Sequence, residues 1–286
     1  MEIDVSHDVI IPMVCSENYL EKAFSLINSI EDNSGLDYKI HLHLVGIPPS
    51  VVVTLSNKYK VSMDKVECFY DFPEIVAAKK RLRVNPVFGG NIYTRFSAYC
   101  ANSRVLDFKK LLDRGEKRIL YMDVDSIVRS SLEDLYSITD DNDLSMHLRN
   151  CLDFPFRSHN MLNPGGCAAG IIGIRNSPES VDFVNKWAGL LMSDDRLLHW
   201  YSEQNTANHL IVNNFYNMKK AITAGKRIFA GNRGSFKREN PALKVYDLEK
   251  KFIDWDFHKD SPIWVGKGKK KGYEQYQIEE LSYLRQ

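Results

Sequence analysis

The sequence predicts an α/β protein: a single domain in which helices flank a sheet, with a C-terminal extension. Short apolar runs of strand length alternate with stretches whose apolar residues recur at spacings of three and four, which is the pattern of amphipathic helices. Such strand–helix alternation is typical of sheets with right-handed crossovers. The 286 residues suit one large domain, and no internal repeat or low-complexity linker divides them.

The elements follow one another regularly along the chain. The first apolar run suits a strand buried on both faces, and Ser16 is a candidate N-cap for the helix behind it. The predicted strands are Val9–Val14, Tyr38–Val45, Val66–Tyr70, Arg118–Met122 and Gly170–Ile174. The predicted helices are Leu20–Ile30, stopped by Asn33-Ser34-Gly35, a stretch from Pro48 to near Tyr59, Tyr93–Leu112 and Pro178–Met192.

Composition and charge exclude several classes of protein. Lysine and arginine number 38 and acidic residues 37, and the net charge of +1 argues against a nucleic-acid-binding protein. The five cysteines form no C-x-x-C pair, which favours free thiols over a disulfide framework. The sequence shows no signal-peptide pattern and no apolar run of about 18 residues. We therefore expect a cytoplasmic protein, with peripheral contact to a membrane left open.

Two carboxylates follow the strand Arg118–Met122. In an extended segment, alternation places Asp123 and Asp125 on one side and Val124 on the other. Like charges this close repel each other unless a cation lies between them, and a divalent cation with oxygen ligands is the usual solution. Ligands of open α/β sheets bind beyond the carboxyl ends of strands, where this pair falls. A solvated turn is the alternative interpretation.

Four segments, taken in order, resemble the retaining glycosyltransferases of family 8. Val9–Tyr19 resembles the family's opening strand and its D-x-N-Y-like turn, with Asn18 and Tyr19 matching. Tyr93-Thr94-Arg95 resembles the Y-x-R motif, and Arg118–Val128 (RILYMDVDSIV) resembles the D-x-D block most closely. Ala168–Ile172 resembles the N-A-G-V strand, and Glu203-Gln204-Asn205 resembles D-Q-D.

The resemblance implies the GT-A fold, a Rossmann-like mixed sheet flanked by helices. It places a transferase domain at residues 1–250, with a nucleotide-binding half (1–125) and an acceptor half (126–250), and a basic lid and tail at 251–286. It implies metal-dependent, retaining transfer of a hexose from a UDP-sugar to a glycan or glycolipid hydroxyl, in surface polysaccharide or glycolipid synthesis. The implied cofactor is Mn²⁺ or Mg²⁺.

The resemblance also implies roles for individual residues. Gln204, Glu203 and Arg95 would act at the reacting sugar, and Asp123 and Asp125 would hold the metal. His258, eight residues before Gly266, is the candidate for the third metal ligand, although it does not stand at the matching place of the family motif. The donor would contact Asn18, Tyr19, Tyr93, Asp123, Val124, Gly266 and Lys267. For the polar residues, helix capping, packing or a solvated surface is the alternative in each case.

The sequence departs from the family pattern at several positions. Ala168 replaces the usual asparagine, Glu203 replaces an aspartate, and Ser16 replaces an acidic residue. The last family motif has a histidine that completes the metal site, but the candidate around Gly266 has lysines and no histidine at the matching place. These departures support a second hypothesis, a catalytically weak or inactive nucleotide-sugar-binding module. A pyrophosphorylase would need a Gly-rich phosphate loop after the first strand, and PMVCSENY is not one.

Overall fold

In the computed structural model, the described residues are 7–73, 81–83, 92–148, 167–193, 196–198, 202–214, 243–266 and 271–285. The strands are β1 (Val9–Ser16), β2 (Tyr38–Val45), β3 (Val66–Asp71), β4 (Arg81–Arg83), β5 (Ile92–Thr94), β6 (Arg118–Met122), β7 (Ser126–Val128), β8 (Leu144–Leu148), β9 (Cys167–Arg175), β10 (Val245–Asp247) and β11 (Ile263–Val265). The helices are α1 (Leu20–Asn33), α2 (Pro49–Lys58), α3 (Arg95–Asp113), α4 (Glu133–Asp141), α5 (Pro178–Met192), α6 (Ser202–Asn214) and α7 (Glu274–Ser282).

Seven of these strands form one mixed sheet in the order β10-β8-β9-β6-β1-β2-β3. β1 pairs in parallel with both β2 and β6, and β9 runs antiparallel between β6 and β8. The predicted mixed sheet is thereby confirmed. Because β1 and β6 are parallel neighbours, their carboxyl ends meet at the same edge of the sheet.

Alternate residues of the central strands enter two cores on opposite faces of the sheet. In β1, Ile11 and Met13 join the core shared with α1, whereas Ile10 joins the core shared with α3 and α5. In β6, Leu120 and Met122 face the first core and Tyr121 faces the second. Burial on both faces explains why these strands read as continuous apolar runs.

The cap of one helix and the start of another differ from expectation. α1 begins at Leu20 as expected, but Ser16 precedes a single 3-10 turn, Glu17–Tyr19, and makes no side-chain capping bond. The prediction that a helix begins at Tyr93 is wrong, because Tyr93 belongs to β5 and α3 begins at Arg95. Thr94 caps α3 through a capping box with Ser97, which fixes the start two residues later than expected.

The chain after residue 250 packs onto the main sheet layers. β11 pairs antiparallel with β7, directly after the Asp123–Asp125 turn. On the other side, α7 is tied to α1, since Lys22 Nζ lies 2.6 Å from Glu280 Oε2 and Ser25 Oγ donates to the Glu280 carbonyl over 2.7 Å. Cys15, Cys68 and Cys100 are free thiols. None of the described helices has the length and apolar character needed to cross a membrane.

Candidate active site

A tight turn at the carboxyl end of β6 carries the two carboxylates. The Asp123 NH donates to the carbonyl of Gly170 in β9, and the Ser126 NH donates back to the carbonyl of Asp123, each over 2.8 Å. Val124 is 8% exposed and lies in the core shared with α1, so only its backbone is open to a ligand. The Asp123 side chain is 35% exposed and that of Asp125 11% exposed.

Arg104 of α3 forms an ion pair with Asp123. Its Nη1 donates to Asp123 Oδ1 over 2.8 Å, to the Tyr121 hydroxyl over 2.9 Å and to the Ala169 carbonyl over 2.9 Å. The Tyr121 hydroxyl in turn donates to Asp123 Oδ1 over 2.6 Å. Burial, outweighing Arg104, raises the pKa of Tyr121 well above its usual value, so the phenol keeps its proton and remains a donor. One oxygen of Asp123 is thus committed to protein donors.

The same guanidinium reaches a third carboxylate. Arg104 Nη2 lies 3.3 Å from Glu203 Oε1, at the start of α6, and the Glu203 side chain is buried. Asn102 and Trp187 fix the backbone there, because Asn102 Oδ1 accepts from the Glu203 NH over 3.1 Å and Trp187 Nε1 donates to the Glu203 carbonyl over 2.9 Å. Burial raises the pKa of Glu203 despite the opposing effect of Arg104.

The two carboxylate oxygens of Glu203 differ in their hydrogen-bond partners. Glu203 Oε2 is buried and has no hydrogen-bond partner of good geometry among the described residues, although the adjacent Gln204 side chain helps to lower the pKa of this carboxyl. A buried carboxylate oxygen without a strong donor is costly unless a ligand supplies one. A sugar hydroxyl is such a donor. Glu203, which is buried, and Gln204, which is half-buried, lie side by side at the start of α6.

Lys271 binds the other carboxylate of the turn. Its Nζ forms an ion pair with Asp125 Oδ2, donates to the Tyr19 hydroxyl over 3.3 Å and lies 4.8 Å from the centroid of the Tyr19 ring. The pKa of Asp125 is raised to about 6, because burial and the charge of Asp123, which raise it, outweigh Lys271, which lowers it. Burial alone would lower the pKa of Lys271, but Asp125 outweighs it and the pKa is raised, so the ammonium stays charged. Lys271 thus joins the carboxyl end of β1 to that of β6.

The C-terminal part of the chain is hydrogen-bonded to the backbone of Asp125. Its carbonyl accepts from the Gly266 NH and from the Tyr276 hydroxyl, each over 2.7 Å. A Cβ at Gly266 would lie 3.0 Å from the Tyr276 ring and 3.1 Å from that carbonyl, closer than side chains ordinarily come. Only glycine lets the two segments approach in this way. Gly266 therefore acts on the carboxylate turn through its backbone.

The structure places the remaining predicted residues differently. Asn18 is exposed in the 3-10 turn beside Tyr19, which is 37% exposed. Arg95 is the first residue of α3 and is half-buried, and its side chain makes no hydrogen bond or ion pair with other described residues. For Tyr93 and Ala168 only the backbone is described, in β5 and β9. Lys267 lies outside the described residues.

The described side chains do not fit the expected Mn²⁺ or Mg²⁺ site. His258 is 71% exposed, and its Nδ1 lies 3.1 Å from Asp254. Over the described ranges, no three His, Cys, Asp or Glu side chains come together in a group that could hold a metal ion. Asp123 and Asp125 are instead neutralised by Arg104 and Lys271. A divalent cation would have to compete with Lys271 for Asp125, and the described residues supply no third carboxylate, histidine or cysteine ligand.

The sequence matches no family model, and no curated protein matches it. Solved structures do resemble it. The galactosyltransferase LgtC, solved with donor and acceptor sugar analogues, is 14% identical over 96% of this chain and 95% of its own, with a TM-score of 0.56. The glycosyltransferase GlyE of Streptococcus pneumoniae is 15% identical over 98% of this chain, with a TM-score of 0.52. The bifunctional glycosyltransferase WbbM is 14% identical over 99% of this chain, with a TM-score of 0.56.

These likenesses establish the fold. The mixed sheet flanked by helices is that of the GT-A glycosyltransferases, as the sequence resemblance predicts. The chain spans 60% of GlyE and 50% of WbbM, so it corresponds to part of each of those chains.

Sequence reasoning missed two cations of the site, Arg104 and Lys271. Arg104 could have been found from the sequence, because it lies three positions after Ala101 and four before Phe108, on an apolar side of the predicted helix. Lys271 had a weaker one, since it is the last of four lysines between Gly266 and Gly272, and spacing alone could not tell which of them turns inward.

Proposed function

We propose that this protein is a retaining glycosyltransferase of the family 8 type, which transfers a hexose from a UDP-sugar to a hydroxyl group of a glycan or glycolipid. The observation that carries the proposal is the position of the Asp123–Asp125 turn, at the carboxyl end of β6 and next to that of β1. This is where ligands of open α/β sheets bind. The neighbouring structures with the same fold, LgtC, GlyE and WbbM, are glycosyltransferases by name, and LgtC was solved with donor and acceptor sugar analogues.

The donor fits along the line from Tyr19 to Glu203. Tyr19, with its exposed ring, and Asn18 beside it suit the base and ribose. Lys271, next to Tyr19, suits the diphosphate because an ammonium group is a strong phosphate binder. Glu203 and Gln204, on the far side of Arg104, suit the sugar hydroxyls. Each role follows from the position of the residue relative to the carboxylate turn.

The reaction breaks the bond between the anomeric carbon and the leaving diphosphate oxygen and forms one between that carbon and the acceptor oxygen. For retention we favour attack from the same face, with the acceptor proton passing to the departing phosphate oxygen. Lys271 stabilises the charge that develops on that phosphate, and Glu203 with Gln204 orients the sugar and stabilises positive charge at the anomeric carbon. An amide oxygen is only weakly basic, so Gln204 is a poor nucleophile. Arg104 holds Asp123 and Glu203 in position.

The expected dependence on Mn²⁺ has no support in the described donor set, so no step above uses a metal. The proposed product is a surface polysaccharide or glycolipid. Acceptor pockets are commonly built from loops, and residues 152–163 and most of 193–201, the candidate loops here, lie outside the described residues. The acceptor is therefore assigned by class alone.

The test is donor hydrolysis with a panel of UDP-hexoses, in which release of free sugar and UDP is measured. We expect release from at least one donor and a loss of about tenfold or more for Asp123→Asn, by analogy with the removal of a charge-stabilising group. Asp113→Asn is the matched control, since Asp113 pairs with Lys109 on the exposed side of α3, and it should keep full activity. Hydrolysis that is unaffected by Asp123→Asn would contradict the proposed site.

A nucleotide-sugar-binding module without transferase activity is the second candidate. Ala168 in place of asparagine and the incomplete metal site favour it. Binding of a UDP-sugar with no hydrolysis and no transfer would establish this alternative. Measurable sugar release would exclude it.

A further inference from the structure

Lys271 contacts one of the two carboxylates that were expected to hold a metal ion. It contacts Asp125, the more buried carboxylate of the turn, and at the same time Tyr19 at the end of β1. We propose that the ammonium group of Lys271 takes the role of the divalent cation, so that the protein binds the diphosphate of its donor without a metal. This inference rests on the proposed function, because it concerns the same donor.

The chain segments before and after Lys271 are both hydrogen-bonded to the turn that carries Asp125. Gly266 precedes it and Tyr276 follows it, and both donate to the carbonyl of Asp125 over 2.7 Å. The Lys271 side chain is only 25% exposed. An ammonium group held by two anchored segments loses less conformational entropy on binding a ligand than a free surface lysine does. Lys271 is therefore positioned by the fold, unlike a free surface lysine.

Lys271 has an N–H donor left for a phosphate oxygen. An ammonium group has three N–H donors. Among the described residues, Asp125 and the Tyr19 hydroxyl take two of them. The third can be given to a phosphate oxygen while the pair with Asp125 persists. A divalent metal bridges carboxylate and phosphate in the same manner, through a positive centre between two anions.

Two other cations of the described residues near the turn, Arg104 and Lys22, have carboxylate partners of their own. Arg104 lies beneath the turn between Asp123 and Glu203, and Lys22 pairs with Glu280 of α7. Asp123, Asp125 and Glu203 outnumber Arg104 and Lys271 by one charge. Removing Lys271 would take from Asp125 the cation that contacts it directly, and among the described residues it would leave only the more distant Lys22 to oppose the charge of an incoming diphosphate. Its replacement by a neutral residue should therefore weaken nucleotide binding in the absence of metal.

The first experiment is calorimetric titration of the whole chain with UDP, GDP and ADP, each used separately, with EDTA and with Mn²⁺. We expect one nucleotide to bind with an affinity that Mn²⁺ changes by less than about twofold, and Lys271→Met to weaken it by about tenfold or more. The matched control is Lys186→Met, which removes an exposed lysine paired with Asp182 on α5 and should leave binding unchanged. Thermal unfolding of each variant verifies that it is folded.

The second experiment measures free Mn²⁺ by electron paramagnetic resonance, without nucleotide. The wild type should leave Mn²⁺ free, and Lys271→Met should bind it more tightly, because Asp125 loses its competing cation. Mn²⁺ that raises wild-type nucleotide affinity tenfold or more, or Lys271→Met that binds nucleotide as well as the wild type, would overturn the inference and leave the proposed function standing. No binding of any of the three nucleotides, with or without Mn²⁺, would overturn the proposed function and this inference with it.

Discussion

The guanidinium group of Arg104 and the carboxylate of Asp123 form an ion pair of 2.8 Å between the middle of α3 and the end of β6. The Arg104 side chain is 6% exposed. The pair joins a helix on one face of the sheet to the turn at its edge. The geometry of the carboxylate turn therefore depends on a residue that lies far from it in sequence.

Arg104→Met should destabilise the protein strongly. The change leaves Asp123 and Glu203 without their shared cation, and removing one partner of a buried ion pair costs about 3–5 kcal/mol. Equilibrium unfolding in urea measures the loss in the free energy of unfolding. Arg285→Met is the control, because Arg285 and its partner Asp32 are each 40% exposed and such pairs contribute about 1 kcal/mol or less. Equal losses for the two variants would contradict the role of Arg104.

Gly266→Ala should destabilise the protein by about 1–3 kcal/mol, the usual cost of overpacking. The new methyl group would press on the Tyr276 ring at 3.0 Å and on the Asp125 carbonyl at 3.1 Å. In Gly189→Ala, on the exposed side of α5, the added methyl meets nothing within 4 Å. That control should gain about 0.5–1 kcal/mol, since glycine is a poor helix former. Urea unfolding of both variants gives the comparison, and a neutral Gly266→Ala would contradict the close approach.

Glu203→Gln should slow sugar release about tenfold or more while leaving UDP affinity unchanged, because Glu203 is placed beside the sugar and away from the nucleotide. The substitution keeps the shape of the side chain and removes its charge. Measurement of kcat and of UDP affinity separates the two effects. Glu249→Gln, at an exposed position, is the control. A fall in UDP affinity equal to the fall in kcat would contradict the assignment of Glu203 to the sugar.

A buried histidine on β2 should make stability depend on pH. His43 Nδ1 lies 2.7 Å from Asp107 Oδ2, and His43 Nε2 lies 3.2 Å from Asp71. Burial alone would lower the pKa of His43, but Asp107 and Asp71 outweigh it and the pKa is raised above 6.5. Burial would raise the pKa of Asp107, but its bonds to His41 and His43 lower it.

The direction of the pH effect follows from linkage. A histidine whose pKa is raised on folding contributes stability fully below its unfolded pKa, here 6.5, and loses that contribution as pH rises through the folded value. Asp107 contributes above its unfolded pKa of 3.8 and loses its contribution as pH falls below that value. Urea unfolding at a series of pH values should show the stability difference between wild type and His43→Asn shrinking above pH 6.5. A difference that stays constant or grows with pH would contradict this pairing.

Much of the fold could be predicted because its signals are local. Tyr38–Val45, Arg118–Met122 and Pro178–Met192 were predicted with the bounds that the structure shows. Their apolar patterns reflect burial of the whole element, which short-range periodicity records. The start of α3 was missed because the capping box of Thr94 and Ser97 depends on side-chain bonds that periodicity does not record.

The candidate site was predictable in part. Asp123 and Asp125 were found because they share a strand end, and alternation is a local rule. Arg104 and Lys271 reach the turn from α3 and from the C-terminal part of the chain, over sequence separations that no spacing rule covers. His258 was suggested by its proximity in sequence to Gly266, but its ring contacts Asp254 instead. Partners that depend on tertiary packing cannot be inferred from one sequence.

The most direct test of the donor site is a crystal structure of the protein with UDP bound. The account predicts density for the base against Tyr19 and for the diphosphate at the carboxyl ends of β1 and β6, with a phosphate oxygen about 3 Å from Lys271 Nζ. Density for UDP at another part of the surface, or a diphosphate that does not reach Lys271 and the Asp123–Asp125 turn, would contradict it.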